Sequence, residues 1–381
     1  MRIQGGKALV GGTFVESDIE IDQDAGLIVS AEGANGHGKS FDARGLHVLP
    51  GIVDIHADAF ERQVMPRPGV GFPLDVALAD SDRQVVSNGI TTIFHGVTCS
   101  WEPGLRGADN ARAVLSAIEM MRGRLAADTR FHLRHETHNL DAEVEVADWL
   151  SERRIDLLAF NDHVPTEALD ARMRKVSQMA ERCGLPHEDF LALVARVKSR
   201  AEEVPESIGR LAAVARGAKV PTLSHDDMSP EQRSWFRGLD CRLCEFPTTA
   251  ETARAATDAG DDIVLGAPNV VRGGSHIGWI GAADMISRGL CTVLASDYYY
   301  PAPLLAAFRL AQDGIAPLER AWAFVSEQPA KAAKLDDRGI IAPGCRADLI
   351  AVDAADPQRP RVVATFASGR VVHLTQADRL H

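Results

Sequence analysis

Long apolar runs are missing from this chain of 381 residues. No stretch reaches the roughly 18 consecutive apolar residues that a membrane-spanning helix needs. Residues 1–7 include an arginine and a lysine but no apolar core of the kind that a signal peptide carries. We therefore expect no membrane partner and a cytoplasmic location.

Cysteine is scarce as well, and its positions form no regular pattern. The six cysteines lack the spacing of a disulfide framework, which suits a reducing compartment. Cys241 and Cys244 form a lone C-x-x-C pair with no second pair to complete a zinc ribbon. Buried thiols are the simpler interpretation of these cysteines.

Positive charge is the third property in short supply. The chain has 41 Lys and Arg against 53 Asp and Glu, a formal net charge of −12. This balance argues against nucleic acid or an anionic membrane as a general partner. A local group of arginines can still bind an anionic small molecule inside a pocket. The sequence also leaves a homo-oligomer open.

The middle of the chain alternates apolar strands with amphipathic helices, a pattern typical of βα units with a parallel sheet. Eight strand candidates occur in series, as a barrel requires, at residues 51–56, 90–97, 130–135, 156–161, 221–224, 242–246, 262–265 and 292–296. A charged, helical interval at about 166–216 predicts an insertion between the fourth and fifth strands. A doubly wound sheet is the alternative architecture.

Both ends of the chain are rich in short strands and glycine turns. We therefore predict an α/β fold: a distorted (β/α)8 TIM barrel with a small β-sandwich domain formed from both chain ends. The predicted bounds are 51–335 for the barrel domain and 1–50 with 336–381 for the composite β domain.

Polar side chains concentrate where the predicted barrel strands end. His56 and Asp58 share one side of the first strand because residues i and i+2 point the same way. Taken alone, His56 could be a hydrogen-bonded core histidine and Asp58 a turn or cap residue. Matching groups at later strand ends favour a metal site instead, namely Glu136, His163, His225 and Asp297.

The types of the candidate ligand residues also limit which metal ion would bind. Imidazoles with carboxylates suit a divalent metal, with Zn²⁺ first and Mn²⁺ or Fe²⁺ as alternatives. Glu136 could bridge two ions, and such a binuclear centre activates water for hydrolysis near neutral pH. Asp297 is then both a candidate metal ligand and the candidate catalytic proton acceptor.

Arginines near the strand ends point to an anionic substrate, since a guanidinium matches the geometry of a phosphate group. Arg62, Arg106 and Arg134 belong to this group, although solvated surface arginine is the common alternative for each. The candidate substrate-binding residues are Arg67, Arg272, His276 and Asp226.

These motifs resemble the amidohydrolase superfamily. The resemblance rests on the Pro-Gly-Ile-Val-Asp-Ile-His run that ends at His56 and on the segment at 341–349. Asp58 stands where most of the superfamily has a second histidine. In having this aspartate, the chain is similar to the diphosphatases of phosphonate degradation. The resemblance implies metal ligation by six residues: His56, Asp58, Glu136, His163, His225 and Asp297.

The resemblance also implies a reaction, the hydrolysis of a ribose phosphonate 5-triphosphate to its 5-phosphate and pyrophosphate. Two places depart from that subgroup: Ala59 replaces an asparagine, and residues 162–168 lack its Gly, Gln and Arg. The alternative function is hydrolysis of a C–N or lactone bond in a small molecule. A catalytically silent, ligand-binding relative is the non-enzymatic alternative.

Overall fold

The computed structural model describes residues 1–31, 38–67, 69–165, 169–274 and 281–381. Strands at the start of the chain are β1 (Arg2–Val10), β2 (Thr13–Asp22), β3 (Leu27–Ser30), β4 (Ser40–Asp42) and β5 (His47–Pro50). Eight further strands are β6 (Ile52–Ala57), β7 (Ile90–Cys99), β8 (Asp128–Glu136), β9 (Leu157–Asn161), β10 (Thr222–His225), β11 (Leu243–Glu245), β12 (Asp262–Gly266) and β13 (Val293–Ala295). The last strands are β14 (Leu349–Asp353), β15 (Arg361–Ala367) and β16 (Arg370–Leu374).

The strands β6 to β13 form a parallel sheet in the order in which they occur along the chain. Its two edges meet through backbone hydrogen bonds, from the Asp297 amide to the His56 carbonyl at 2.9 Å and from the Asp58 amide to the Asp297 carbonyl at 3.0 Å. All eight predicted barrel strands are present, and the predicted TIM-like barrel is confirmed.

Apolar side chains fill the inside of this barrel. Val53, Phe94, Leu157, Leu223 and Val264 belong to one buried cluster contributed by different strands. Such interior residues form layers below the carboxyl ends of the strands, so the barrel has a packed core and no open channel. The polar strand ends therefore stand on a rigid apolar base.

Both chain ends contribute to a second, mainly antiparallel sheet of eight strands. Its order is β16-β15-β14-β5-β1-β2-β3, with β4 paired to β1. The two ends join where β14 runs antiparallel to β5, with Leu349 opposite Pro50. Ile3, Phe41 and Phe366 are fully buried in its core. A second sheet built from both ends is thus confirmed, while the bounds 1–50, 51–335 and 336–381 stay predictions.

Helices follow the barrel strands along the chain. They are α1 (Glu61–Val64), α2 (Leu74–Ser87), α3 (Ala108–Met121), α4 (Glu143–Ser151), α5 (Leu169–Cys183), α6 (His187–Lys198), α7 (Val204–Ala218), α8 (Pro230–Gly238), α9 (Ala250–Asp258), α10 (Ala267–Arg272), α11 (Ala282–Ser287), α12 (Ala302–Gln312), α13 (Leu318–Ala323) and α14 (Glu327–Ala332). Within the described ranges, no helix is long and apolar enough to cross a membrane.

The helices α5 and α6 form the main part of the predicted insertion between β9 and β10. They have a small apolar core of their own, with Val176, Met179, Phe190 and Val194 buried together. Trp101, in the loop after β7, packs against this core, with its ring centroid 6.0 Å from that of Phe190. The insertion therefore lies against a loop at the carboxyl end of the barrel.

We expect Trp322→Ala to destabilise the protein by about 3–5 kcal/mol, because truncating a buried aromatic leaves a cavity. Trp322 is fully buried in α13, and its indole N–H donates to the Pro50 carbonyl at 3.1 Å. Its loss thus weakens the contact between the barrel helices and the terminal sheet. Urea unfolding followed by fluorescence and circular dichroism measures the effect.

The matched control is Trp235→Ala, which truncates an indole that is 42% exposed. Surface substitutions of this kind usually change stability by about 0.5 kcal/mol or less. Equal shifts of the unfolding midpoint in both variants would contradict the role assigned to Trp322.

Candidate metal centre

The carboxyl ends of the barrel strands bring the predicted ligands together. His225 follows the interior residue Leu223 at a spacing of two, and Glu245 follows Leu243 in the same way. Since side chains alternate along a strand, these polar groups continue the inward-facing rows above the apolar core. Local strand geometry thus aims them at the mouth of the barrel.

One group of possible ligands consists of His56, Asp58 and Asp297. Each offers a ligand atom, and these atoms all lie within 4.8 Å of one another. His56 and Asp58 come from the end of β6, and Asp297 comes directly after β13 where the two sheet edges meet. The predicted His-x-Asp pair and the last-strand aspartate therefore share one place.

A second group consists of His163, His225 and Asp226, whose ligand atoms also lie within 4.8 Å of one another. The Nε2 atom of His163 is 3.7 Å from Asp226 Oδ2, and that of His225 is 3.6 Å from Asp226 Oδ1. Asp226 was predicted to bind substrate, a role that stays a prediction. The structure places it beside two predicted metal ligands.

Glu136, predicted to bridge two ions, lies against His163 in the structure, and its bridging role stays a prediction. Its Oε1 lies 2.5 Å from His163 Nδ1, and its Oε2 accepts the His163 backbone N–H at 3.0 Å. Burial alone would raise the pKa of Glu136, but the neighbouring His163 outweighs it and lowers the pKa to about 2. Glu136 is the predicted ligand that belongs to none of the three-residue groups found among the described residues.

Glu245 forms a third group with His56 and His225, whose ligand atoms also lie within 4.8 Å of one another, and it thereby connects the first two groups. Sequence reasoning missed it as a site residue. Its two oxygens lie 2.7 Å from His56 Nδ1 and 2.7 Å from His225 Nδ1. The two imidazoles are stacked, with ring centroids 5.9 Å apart and planes inclined by 16°. Burial opposes the charge of Glu245, yet both histidines hold its pKa well below the ordinary value. A carboxylate at the end of a short buried strand was the available signal.

The geometry of His56 fits a metal ligand. Because Nδ1 faces Glu245, the other ring nitrogen, Nε2, is left to bind, and it is buried without a hydrogen-bond partner among the described residues. Burial lowers the pKa of His56, but the charge of Glu245 outweighs it and leaves the pKa raised. A Cβ at the neighbouring Gly96 would lie 3.2 Å from Arg134 Cδ, so glycine leaves room for the Arg134 side chain beside His56.

Strained backbone marks the same strand ends. Asp226, Phe246 and Asp297 follow β10, β11 and β13, and their φ angles are 57°, 52° and 55°. Such left-handed conformations are unfavourable for residues other than glycine and concentrate at functional sites. Burial first, and then the negative charge of Asp58, raises the pKa of Asp297 to about 6.

The predicted arginines fall into two sets. Arg134 is buried, and its Nη1 donates to Asp58 Oδ2 at 3.1 Å, which ties a cation directly to a predicted ligand. Arg62, Arg67 and Arg272 are exposed. Arg272 Nη1 lies 3.3 Å from the Tyr298 hydroxyl, and Arg62 Nη2 lies 2.7 Å from the Tyr298 carbonyl.

Two further residues were predicted to bind the substrate. Arg67 pairs with Val70 in a turn and contacts none of the residues of the two ligand groups in the described structure. His276 lies outside the described residues. Substrate binding by Arg67, Arg272, His276 and Asp226 stays a prediction.

A family model described as the amidohydrolase family matches residues 95–373, which is most of the chain. The chain belongs to the amidohydrolase family. This amidohydrolase is 32% identical over 370 residues to the alpha-D-ribose 1-methylphosphonate 5-triphosphate diphosphatase of Escherichia coli K12. The match covers 93% of this chain and 96% of that relative.

Other comparisons show how widely the fold is shared. The amidohydrolase is 27% identical to the adenine deaminase of Brucella abortus 2308. This match covers 97% of the amidohydrolase but only 56% of the deaminase. A prolidase complexed with N-methylphosphonate-L-proline has a TM-score of 0.65 at 14% identity, with 98% of this chain and 99% of that one covered. The 5-methylcytosine deaminase of Klebsiella pneumoniae has a TM-score of 0.64 at 14% identity, with 99% and 98% covered. At such identities these structures show the fold alone.

We expect Glu245→Gln to weaken metal binding by about 10–100-fold, the usual cost of losing a carboxylate that orients ligand histidines. The amide keeps the size of the side chain but cannot accept N–H donors from His56 and His225 with a full negative charge. Metal content and competition with a chromogenic chelator measure the loss.

The control is Glu251→Gln, which removes an exposed charge from the first turn of α9. It should bind metal as tightly as the unchanged protein does. Undiminished affinity in Glu245→Gln would show that the two histidines do not depend on this carboxylate.

Proposed function

We propose that this amidohydrolase is a metal-dependent diphosphatase that hydrolyses α-D-ribose 1-methylphosphonate 5-triphosphate to the 5-phosphate and pyrophosphate, as a step of phosphonate catabolism. The observation that carries the proposal is the extent of similarity to the diphosphatase, which spans 93% of this chain and 96% of that relative. The two groups of possible ligands at the barrel mouth support it.

The residues that would hold divalent metal are His56, Asp58, Glu136, His163, His225 and Asp297, with Zn²⁺ as the first choice and Mn²⁺ or Fe²⁺ as alternatives. Two groups of donors support a binuclear site. A divalent ion there supplies a Lewis acid and lowers the pKa of coordinated water. Asp226 and Glu245 add negative charge near the same place.

The chain's own residues would position the water and the substrate. The Asp297 carboxylate, held within 4.8 Å of His56 and Asp58, is placed to accept a proton from the attacking water. Arg134 holds Asp58 at 3.1 Å and brings a positive charge toward the phosphoryl oxygens. Charges arranged in advance in this way stabilise the charge that develops during phosphoryl transfer.

The bond changes follow from the proposed products. The oxygen of water forms a bond to the α-phosphorus, and the bond from that phosphorus to the oxygen bridging the α- and β-phosphates breaks. Pyrophosphate leaves with the bridging oxygen, and one proton of the water passes to Asp297. The ribose 1-methylphosphonate 5-phosphate remains.

Hydrolysis of a C–N bond is the second candidate. It is favoured by the 27% identity to adenine deaminases, although the chain spans only 56% of their length. The positive charge of Arg134 beside the centre favours the anionic triphosphate over an uncharged amide. A cytoplasmic location and a homo-oligomer stay predictions.

The substrate test compares the two candidates directly. Metal-loaded protein should release pyrophosphate from the ribose methylphosphonate triphosphate and should lose this activity after chelation, with recovery when Zn²⁺ or Mn²⁺ is restored. Adenine, dihydropyrimidine and lactone substrates should turn over far more slowly. Turnover of a C–N substrate with no pyrophosphate release under any of these metals would refute the proposal.

We expect Asp297→Asn to reduce pyrophosphate release by about 10²–10⁴-fold, the usual contribution of a positioned general base. Asp313→Asn is the control, because Asp313 is exposed and pairs with Arg309. The control should keep normal activity. Activity of Asp297→Asn within twofold of normal would rule out this carboxylate as the proton acceptor.

A further inference from the structure

A separate cavity adjoins the candidate metal centre at the mouth of the barrel. It has a volume of about 250 Å³ and shares Glu136 and His163 with that centre. Its other walls come from the carboxyl end of β7, the loop that follows, and the insertion helix α5. A group in this cavity would therefore lie next to the reacting bond.

Three guanidinium groups line this cavity, and a carboxylate holds each of them. Arg106 donates to Glu61 through Nε at 3.2 Å and through Nη2 at 2.9 Å. Arg134 donates to Asp58, and Arg182 of α5 donates to Glu102.

These pairs fix the planes of the guanidinium groups. Because an arginine has five N–H donors, each pair leaves other donors of the same side chain available to a ligand. Glu102 also lines the cavity, with its charge paired to Arg182. The arginines are thus oriented in advance, and most of their donors are still unused.

Several buried donors of the lining residues lack any hydrogen-bond partner in the described part of the chain. They are the Nε atoms of Arg134 and Arg182, the indole Nε1 of Trp101 and the hydroxyl of Thr98. Buried polar groups without partners are rare in folded proteins, and each requires an explanation. Four such donors belong to residues that line this cavity together with the three guanidinium groups, and this donor-rich lining favours a ligand rich in acceptor oxygens, which describes a phosphate group.

We propose that this cavity binds the terminal diphosphate of the substrate and holds it as the leaving pyrophosphate. The inference rests on the proposed function, which it extends by naming the residues that bind the leaving group. Ligand pockets for complete small molecules usually measure about 300–1,000 Å³, so a cavity of about 250 Å³ suits one end of the substrate.

The distribution of charge decides which end of the substrate enters. The methylphosphonate end is a monoanion, whereas the diphosphate end carries several negative charges. Arg62 and Arg272, which contact Tyr298 after β13, are exposed, and water screens their charge. Arg106, Arg134 and Arg182 in the cavity are more enclosed. They therefore interact more strongly with the diphosphate end, which carries more charge.

This assignment gives the insertion a function. Arg182 lies in α5, which the chain inserts between the fourth and fifth barrel strands, and it reaches Glu102 in the loop after β7. Trp101 of the same loop packs against the apolar core of the insertion. The insertion therefore completes the diphosphate cavity and acts as a specificity element for the triphosphate.

The test compares Arg182→Gln and Trp101→Phe with the unchanged protein. All variants are metal-loaded, and the measurements are KM for the ribose methylphosphonate triphosphate and inhibition by inorganic pyrophosphate. Arg182→Gln should raise KM and the pyrophosphate inhibition constant about 10-fold or more, since bonds to charged groups are the stronger ones. Trp101→Phe, which loses one N–H donor but keeps a ring against Phe190, should raise both about threefold to tenfold.

Arg154→Gln is the matched control, because Arg154 forms a two-bond pair with Glu119 outside the cavity. It should leave both constants unchanged, and metal chelation by pyrophosphate is the same for every variant. Normal hydrolysis with unchanged constants in both cavity variants would overturn the cavity assignment and leave the proposed function intact.

Direct binding separates the two proposals further. Calorimetry of the metal-loaded protein with inorganic pyrophosphate should show binding that Arg182→Gln and Trp101→Phe weaken and Arg154→Gln does not. If the cavity variants weaken pyrophosphate binding but the unchanged protein does not hydrolyse the triphosphate, the cavity assignment is supported and the diphosphatase function is refuted. Equal pyrophosphate binding by all four proteins would refute the cavity assignment.

Discussion

The site depends on a single buried carboxylate between two imidazoles. Glu245 is fully buried and lies 2.7 Å from the Nδ1 atoms of both His56 and His225. A charge in such surroundings is stable only when partners surround it, and here the two histidines are those partners. The same contacts set the stacked arrangement of the rings and direct their Nε2 atoms to other ligands. Glu245 is thus the partner that the Nδ1 atoms of both rings share.

Around this carboxylate, the barrel mouth places opposite charges in alternation. Arg134 stands against Asp58 at 3.1 Å, and His163 stands against Glu136 at 2.5 Å. Electrostatic interactions are strong in such a place, because little water reaches buried charges. The apolar layers below hold the charged groups at fixed positions.

Sequence reasoning predicted the barrel, the eight strands and the sheet shared by the chain ends, all of which the structure confirms. Strand alternation and polar strand ends are local signals, which explains that success. It proposed Glu136 as a bridge between ions, which stays a prediction, and the structure adds that both oxygens of Glu136 contact His163. It left the surroundings of the arginines open: Arg67 is exposed, whereas Arg182 of the insertion pairs with Glu102. Exposure and pairing depend on neighbours that are distant in sequence, and no local pattern reveals them.

The sequence by itself determined the order of the strands, the residue types at their ends and the family to which the chain belongs. Only the tertiary structure decided which of those residues meet. Glu245 reaches His56 across 189 positions, and Arg182 reaches Glu102 across 80. Hydrogen bonds and ion pairs act over a few ångströms, so closure of the barrel and packing of the insertion select the partners. The chemistry of each side chain is local, but the site they form exists only in the folded chain.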